Sequence, residues 1–360
     1  MAEIKKLNLA IIGQGRSGRN IHGKYYISDD NIYYNVRYVV ENDAALREEA
    51  LTRYPGCEVL SDYKGLFDKK DIDLVVNSTY SETHYNITKE FLEHKFNVLV
   101  EKPMARNRYE CKDLIKTAKD NDVVLSVFQQ TFYAPYYQYI KEKIESGIFG
   151  KIEQISIRFS GFARRWDWQT LQKKLAGNAY NTGPHPIGIA YGLLDFDKAA
   201  KVVYSRLAKT ELSSGDAEDY VKMLISAPNK PLVDIEISSA DAFSNYNVKI
   251  QGSKGGLKAT AEKCEVKYIK DGENTERSVI FESMKDENGV PAYCKDNLII
   301  HEESTEFTGT AFDVGTATLY KELYFKLTEG KKMYIEPENA TMIVGAIEQL
   351  HAENPLPLIY

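Results

Sequence analysis

The chain has few cysteines and no metal-ligand pattern. Its four cysteines, Cys57, Cys111, Cys264 and Cys294, are scattered over 360 residues without a C-x-x-C pair. That spacing suggests neither a zinc knuckle nor a disulfide framework, so reduced thiols and no metal site are expected. Single-sign charge is scarce as well: 46 Lys and Arg stand against 52 Asp and Glu, a net charge of -6 without long runs. Nucleic-acid footprints and polybasic membrane patches need such runs, so neither partner is expected. No apolar stretch is long enough to span a bilayer, and the opening MAEIKKLNLA enters a strand-like run without an apolar signal region. The expectation is a cytoplasmic protein acting on a soluble metabolite. Internal repeats and low-complexity tracts are missing too.

What is present begins with a strand, a glycine cluster and a helix. Leu7, Leu9, Ala10, Ile11 and Ile12 read as a short buried strand, and GQGRSG follows with Gly13, Gly15 and Gly18 on the G-x-G-x-x-G spacing. In that arrangement the first glycine allows the tight turn. The second keeps side chains away from a diphosphate, and the third lets the helix lie close to the sheet. Free N–H groups and the helix dipole then attract the anion, which makes Gly13, Gln14, Gly15, Arg16, Ser17 and Gly18 candidate dinucleotide ligands. Val36 to Val40 reads as a second strand. It ends at Glu41, about 20 residues past the last glycine, where a carboxylate accepts from ribose hydroxyls and repels a 2'-phosphate. The nearest following basic residue is Arg47, so NAD is favoured over NADP.

Up to about Gln130, short β-rich runs alternate with amphipathic stretches. Strands are expected at 73–77, 97–100 and 123–128, and helices at 83–94 and 109–121, which together describe a doubly wound parallel sheet. A helix over 134–146 follows, and the rhythm then changes to strands at 151–160, 202–207, 219–226, 232–238, 248–251, 257–260 and 266–269. Alternation such as Ile152, Ile155, Ile157 and Phe159 puts one face in a core, and the turn-linked strands indicate a large, mostly antiparallel open sheet. Helices near 315–327 and 337–351 close the chain. The fold class is therefore α/β, with a Rossmann-type sheet followed by an α+β domain. Residues 1–130 form the dinucleotide-binding domain and 131–360 the substrate-binding and oligomerisation domain. An uncovered sheet face exposes apolar side chains, so a homodimer or homotetramer is expected.

A second signal is NVLVEKPM, residues 97–104, which places Glu101, Lys102 and Pro103 at the carboxyl edge of the parallel sheet, where such sheets bind ligands. A lysine there holds positive charge beside a reacting hydroxyl or carbonyl, and its pKa falls readily in a dry site. GQGRSG plus VEKPM resembles the Gfo/Idh/MocA family of dinucleotide-dependent oxidoreductases. IESGIFGKI (144–152), GNAYNTGPHPIG (177–188), GSKGGL (252–257) and EPENA (336–340) extend the likeness along the whole chain. The resemblance implies a pair facing the nicotinamide, usually an Asp and, four residues on, a His; here the positions hold Asn181 and His185. On one helix, i and i+4 project from the same face. His185 is then the general base, with Lys102 and Asn181 sharing the catalytic work. The amide of Asn181 cannot carry the charge that raises a neighbouring imidazole's basicity. The same likeness places Thr79, His84, Glu101 and Gln130 at the cofactor, with His84 as a cap or packing residue the competing reading. Trp166, beside Arg164 and Arg165, is a candidate substrate wall together with Lys102, Asn181 and His185.

The implied activity is NAD(P)-dependent transfer of a hydride between a secondary alcohol of a sugar, cyclitol or related polyol and the nicotinamide. Two alternatives stay open: an NAD-retaining glycoside-cleaving enzyme, and a non-catalytic dinucleotide-binding regulator.

Overall fold

The computed structural model describes residues 4–360, so the first three residues of the N-terminal stretch read above lie outside it. The chain opens with six parallel strands: β1 (Leu7–Ile12), β2 (Tyr34–Val40), β3 (Glu58–Leu60), β4 (Leu74–Asn77), β5 (Val98–Glu101) and β6 (Leu125–Phe128). Their order is β3-β2-β1-β4-β5-β6. They are connected through α1 (Gly23–Tyr26), α2 (Ala44–Arg53), α3 (His84–Glu93) and α4 (Arg108–Asp120). Leu9, Ala10, Ile11 and Ile12 are all buried, as expected of a strand covered on both faces. The strand order reverses between β1 and β4, and their carboxyl ends open the crevice in which such sheets bind nucleotides.

After α5 (Pro135–Glu145) comes an eight-stranded sheet, interrupted in sequence by α6 (Asn178–Asn181) and α7 (Pro184–Leu193). Its strands are β7 (Ile152–Ser160), β8 (Lys201–Ala208), β9 (Tyr220–Ser226), β10 (Leu232–Ser238), β11 (Val248–Gly252), β12 (Gly255–Ala259), β13 (Lys263–Tyr268) and β14 (His301–Glu306). In the order β14-β13-β12-β11-β7-β10-β9-β8, only the β7–β10 pair is parallel, so the sheet is mostly antiparallel as expected. The apolar helix α7 packs on β7 and β10 and fills the inner face. The outer face exposes some apolar side chains, Tyr204 and Leu232 among them, and it is also charged. Across β7, β9 and β10 it carries a charged lattice: Arg158 with Asp234 at 2.9 Å, and Lys222 with Asp234 at 2.7 Å and Glu236 at 3.2 Å.

The last two helices, α8 (Thr316–Glu329) and α9 (Pro337–Glu353), return to the first sheet. The Tyr34 hydroxyl donates to the Tyr320 carbonyl of α8 at 2.9 Å, and Ala340 and Val344 of α9 share a core with Val75, Val98 and Val127. The two sheets are thereby held together across the crevice. Three elements lack a sequence signal. β3 is three residues long, and α2 buries only Ala50. β14, HEESTE, is a charged edge strand, a composition that discourages pairing with other chains and erases apolar alternation.

Candidate active site

The glycine turn supplies one wall of the crevice. Gly13 has φ +91°, and a Cβ built on it would lie 2.8 Å from the Ser78 carbonyl oxygen. Gly18 is tighter: its Cβ would meet the Gly13 oxygen at 2.0 Å, so the helix rests on the turn itself. Gly15 is the opposite case: beyond its chain neighbours, no atom of the described residues comes within 4 Å of where a Cβ would sit. The turn is fastened at both ends, by the Gly13 N–H donating to Val40 at 2.8 Å and by the Ser78 hydroxyl donating to Ile12 and Gly13 carbonyls at 2.9 and 3.0 Å. Arg16 is exposed on this turn, Ser17 is half-buried, and Gln14 is buried with its amide donating to the Gly13 carbonyl.

Glu41 stands against the same turn. Its carboxylate accepts the Gln14 N–H at 2.7 Å and the Asp43 N–H at 3.0 Å, while the Arg47 guanidinium donates to the Glu41 carbonyl at 2.6 Å. Farther along, Thr79 donates its hydroxyl to Asn77 at 2.7 Å. His84 is buried and bridges two backbone carbonyls, Pro103 at 2.7 Å and Thr79 at 3.2 Å, which makes it a strut between the ends of β4 and β5. The Lys102–Pro103 peptide bond is cis.

Opposite this wall the GNAYN segment brings in its residues. α6 and α7 are separate short helices, because Pro184 and Pro186 have no N–H to donate; Asn181 ends the first and His185 lies in the first turn of the second. The expected i, i+4 pair on one continuous helix is therefore corrected to two helices, with Thr182 and Gly183 keeping helical dihedrals between them. The Lys102 ammonium donates to the Asn181 backbone carbonyl at 2.8 Å. The contact made by Asn181 is thus one that an Asp would make equally, and its side-chain amide has no hydrogen bond among the described residues. His185 is held through Nδ1 by the Thr131 hydroxyl at 2.6 Å, and its Nε2 has no partner among the described residues.

The charges follow from this enclosure. Burial pushes the His185 imidazole down to about 3, the Lys102 ammonium pushes the same way and Glu101 opposes, so the ring is neutral at pH 7. Burial also lowers Lys102; the Glu101 carboxylate counteracts this, and the Arg16 and Arg165 guanidiniums reinforce it. Burial alone would raise Glu101, but the hydrogen bond from His22 and the nearby Lys102 ammonium outweigh it and bring the carboxyl to about 2. At the end of β6, Gln129 and Gln130 are buried with side-chain carbonyl oxygens that lack any partner among the described residues.

Of the residues expected at the site, Lys102, Asn181 and His185 come together, and Glu101 lies beneath them. Trp166 does not join them: it is 76% exposed, while Arg165 next to it pairs with Asp167 at 2.8 Å. Trp168 is the inward tryptophan, edge-on to Tyr80 with ring centroids 4.9 Å apart. Thr131 and His22 were not singled out from sequence. Neither sits in a spacing pattern, and their partners lie 54 and 79 residues away.

Residues 7–129 match the family model described as an oxidoreductase family with NAD-binding Rossmann fold, and residues 137–258 match the GFO/IDH/MocA C-terminal domain. Among curated proteins the chain is similar to levoglucosan dehydrogenase of Pseudarthrobacter phenanthrenivorans, at 25% identity over 87% of this chain and 83% of that protein. It is also similar to 2,7-anhydro-N-acetylneuraminate hydratase of Escherichia coli, at 22% identity over 78% and 75%. Among solved structures it shares its fold with GenD2 from gentamicin A biosynthesis in complex with NAD (TM-score 0.76, 20% identity, 98% and 96% of the two chains). The same holds for a 3-ketoreductase from Actinomadura kijaniata in complex with NADP and TDP-benzene (TM-score 0.77, 14% identity, 97% and 98%). No described helix is long and apolar enough to cross a membrane. With both family models placed along it, the chain belongs to the Gfo/Idh/MocA oxidoreductases, enzymes built on an NAD-binding Rossmann fold.

Proposed function

We propose that this protein transfers a hydride between a secondary alcohol of a sugar, cyclitol or related polyol and the nicotinamide of NAD. The observation that carries the reading is the meeting of the Lys102 ammonium with the Asn181 carbonyl at 2.8 Å, beside a neutral His185 whose Nε2 is free. The chain fits a dinucleotide: open space at Gly15, helix N–H groups behind it, and unpartnered buried oxygens on Gln129 and Gln130 that suit a carboxamide N–H. When bound, the cofactor supplies the hydride chemistry. With Thr131 accepting from Nδ1–H, the Nε2 lone pair of His185 takes the proton of the substrate hydroxyl. Lys102 stabilises the oxyanion that develops as that proton leaves. The residues up to about 130 hold the cofactor, and the remainder presents the substrate.

Two tests bear on this reading. A panel of sugars, inositols and their phosphates, offered with NAD and with NADP, should yield reduced nicotinamide on at least one member; tight NADH binding with no turnover anywhere would instead support a regulator. Lys102→Met and His185→Ala should each lower turnover by at least about a hundredfold while NADH affinity holds. For the cofactor, the seat of Glu41 on Gln14 and Asp43 favours NAD. Glu41→Ser should improve NADPH use relative to NADH, with Arg47 left to meet a 2'-phosphate, and an unchanged ratio in steady-state kinetics would show that another group decides. The hydratases among the relatives support a second reading, a reaction without net redox change such as NAD-retaining glycoside cleavage. Product analysis on a glycoside separates the two.

A further inference from the structure

His22 is fully buried in the helix after the glycine turn, and both of its ring nitrogens are engaged. Nε2 meets Glu101 Oε1 at 3.2 Å and Nδ1 meets the Tyr320 hydroxyl at 2.7 Å. The second oxygen of Glu101 accepts the backbone N–H of Lys102 at 3.1 Å, and the Tyr26 hydroxyl donates to that of Tyr320. Donor counting gives the chain a direction. A carboxylate only accepts, so Nε2 carries the ring proton. Nδ1 then accepts from the Tyr320 hydroxyl, whose oxygen in turn accepts from Tyr26. Phe128 lies 4.3 Å from the imidazole centroid, and Tyr25 stacks on Tyr320 at 4.7 Å, so the ring has no room to turn away.

We propose that His22 and Tyr320 are positioning residues for Lys102, acting through Glu101: the chain from Tyr26 fixes the carboxylate in its ionised form beside the ammonium. This rests on the reading of Lys102 as the group that works on the substrate. A carboxylate only 3% exposed is tolerated as an ion when its lone pairs are occupied, and His22 occupies one of them from a residue that cannot move. The other groups facing Glu101 are Lys102, His84 and His185; those facing Lys102 are Arg16, Arg165 and His185. Every cation near Lys102 disfavours its charge, so Glu101 is its counterweight. Without the His22 bond, the Glu101 carboxylate would be free to turn away from the Lys102 N–H it now caps, and Lys102, left facing Arg16 and Arg165, would lose its proton at lower pH.

The test is the pH profile of kcat/KM for His22→Leu, His22→Gln and Tyr320→Phe. In His22→Leu the alkaline limb, set by Lys102, should move down by about one pH unit, which narrows the bell from that side, while the acid limb, set by His185, stays in place. His22→Gln, whose amide donates N–H and accepts through its carbonyl, should restore much of the width. Tyr320→Phe is the milder variant and should move the alkaline limb by less. A second readout needs no turnover: the pH dependence of reductive methylation of Lys102, followed by peptide mass spectrometry, should shift to lower pH in His22→Leu. Profiles that superimpose on wild type, with only folding stability reduced, would make His22 a packing residue and overturn the proposal. An unshifted Lys102 titration would overturn it equally. A wild type without turnover on any substrate would count against the enzymatic reading instead, and the methylation experiment would still decide this one.

Discussion

Gly15 and Gly18 stand three positions apart and are glycine for opposite reasons. A methyl on Gly18 meets a backbone oxygen at 2.0 Å, so Gly18→Ala must push the helix off the turn. Overpacking of this kind costs about 1–3 kcal/mol, and a lowered thermal midpoint is expected in the absence of any ligand. A methyl on Gly15 meets nothing. Gly15→Ala should leave the midpoint of the free protein within about 0.5 kcal/mol of wild type, yet weaken NADH binding by roughly tenfold or more, because the methyl points where the diphosphate must come close. Calorimetry and fluorescence titration on the two variants separate a structural glycine from a ligand-facing one; equal NADH affinity in Gly15→Ala would remove the phosphate from this turn. At this scale the sequence is readable where partners are neighbours in the chain. The glycines and Glu41 fall within one strand-turn-helix-strand unit, and Lys102 sits at a strand end. His22 is not readable in the same way, since Tyr320 lies 298 residues away and only the folded chain brings them together.

The short helix α6 shows how an element with little intrinsic stability is held in place. Gly177 precedes it at φ +91°, pressed against the Glu218 carboxylate, and Glu218 accepts the Ala179 N–H at 2.8 Å in the first turn. Glu218 also meets His351 Nε2 of α9 at 3.3 Å, while His351 Nδ1 lies 2.9 Å from the Ile347 carbonyl. Two acceptors require two N–H donors, so the imidazolium is the form that fits. Burial disfavours that charge, but the Glu218 hydrogen bond and charge outweigh it, and the His351 pKa rises above 6.5. A cation whose folded pKa is raised contributes its full stabilisation below the unfolded value and loses it as pH rises through the folded one. Urea midpoints of the wild type should therefore fall more steeply than those of His351→Gln as pH rises above 6.5, and parallel slopes would show that the pair is energetically silent. The segment was legible in sequence as a family landmark and a place for His185. Its break into two helices is not legible from spacing, because Pro184 and Pro186 interrupt the backbone bonding that an i, i+4 pattern takes for granted; β14 is hidden for the different reason that a charged edge strand has no apolar period.

At the scale of the whole molecule, the two sheets are tied by the helices that end the chain and by contacts across the crevice, where Lys174 of the second half pairs with Glu82 of the first and Trp168 meets Tyr80. The architecture of a parallel sheet followed by an antiparallel one was legible, because each sheet announces itself by its own rhythm. The surface that would pair two copies was not. The open face expected to be apolar combines exposed Tyr204 and Leu232 with ion pairs, and a second surface on the chain is more apolar. The candidate is the extension between β13 and β14. Residues 269–300 contain no helix or strand, and there Phe281 and Tyr293 are each 92% exposed and Val279 77%, with Ile299 and Ile300 also open to solvent. Its two limbs run side by side, joined by the Arg277–Asp296 pair at 3.0 Å and by the Ile299 N–H donating to Asn274 at 2.7 Å. An arm that shows water this much apolar surface is stabilised by covering it, and a second copy of the chain is the partner always present at equal concentration. Replacing residues 273–299 by a short Gly-Ser turn keeps the β13–β14 hairpin closed at its Tyr268–His301 pairing while removing that surface. Light scattering should then show a wild-type oligomer and a monomeric variant that still binds NADH, because nothing in the arm touches the glycine turn. A wild type that stays monomeric at micromolar concentration, or an arm-less variant of unchanged mass, would place the association surface elsewhere or remove it.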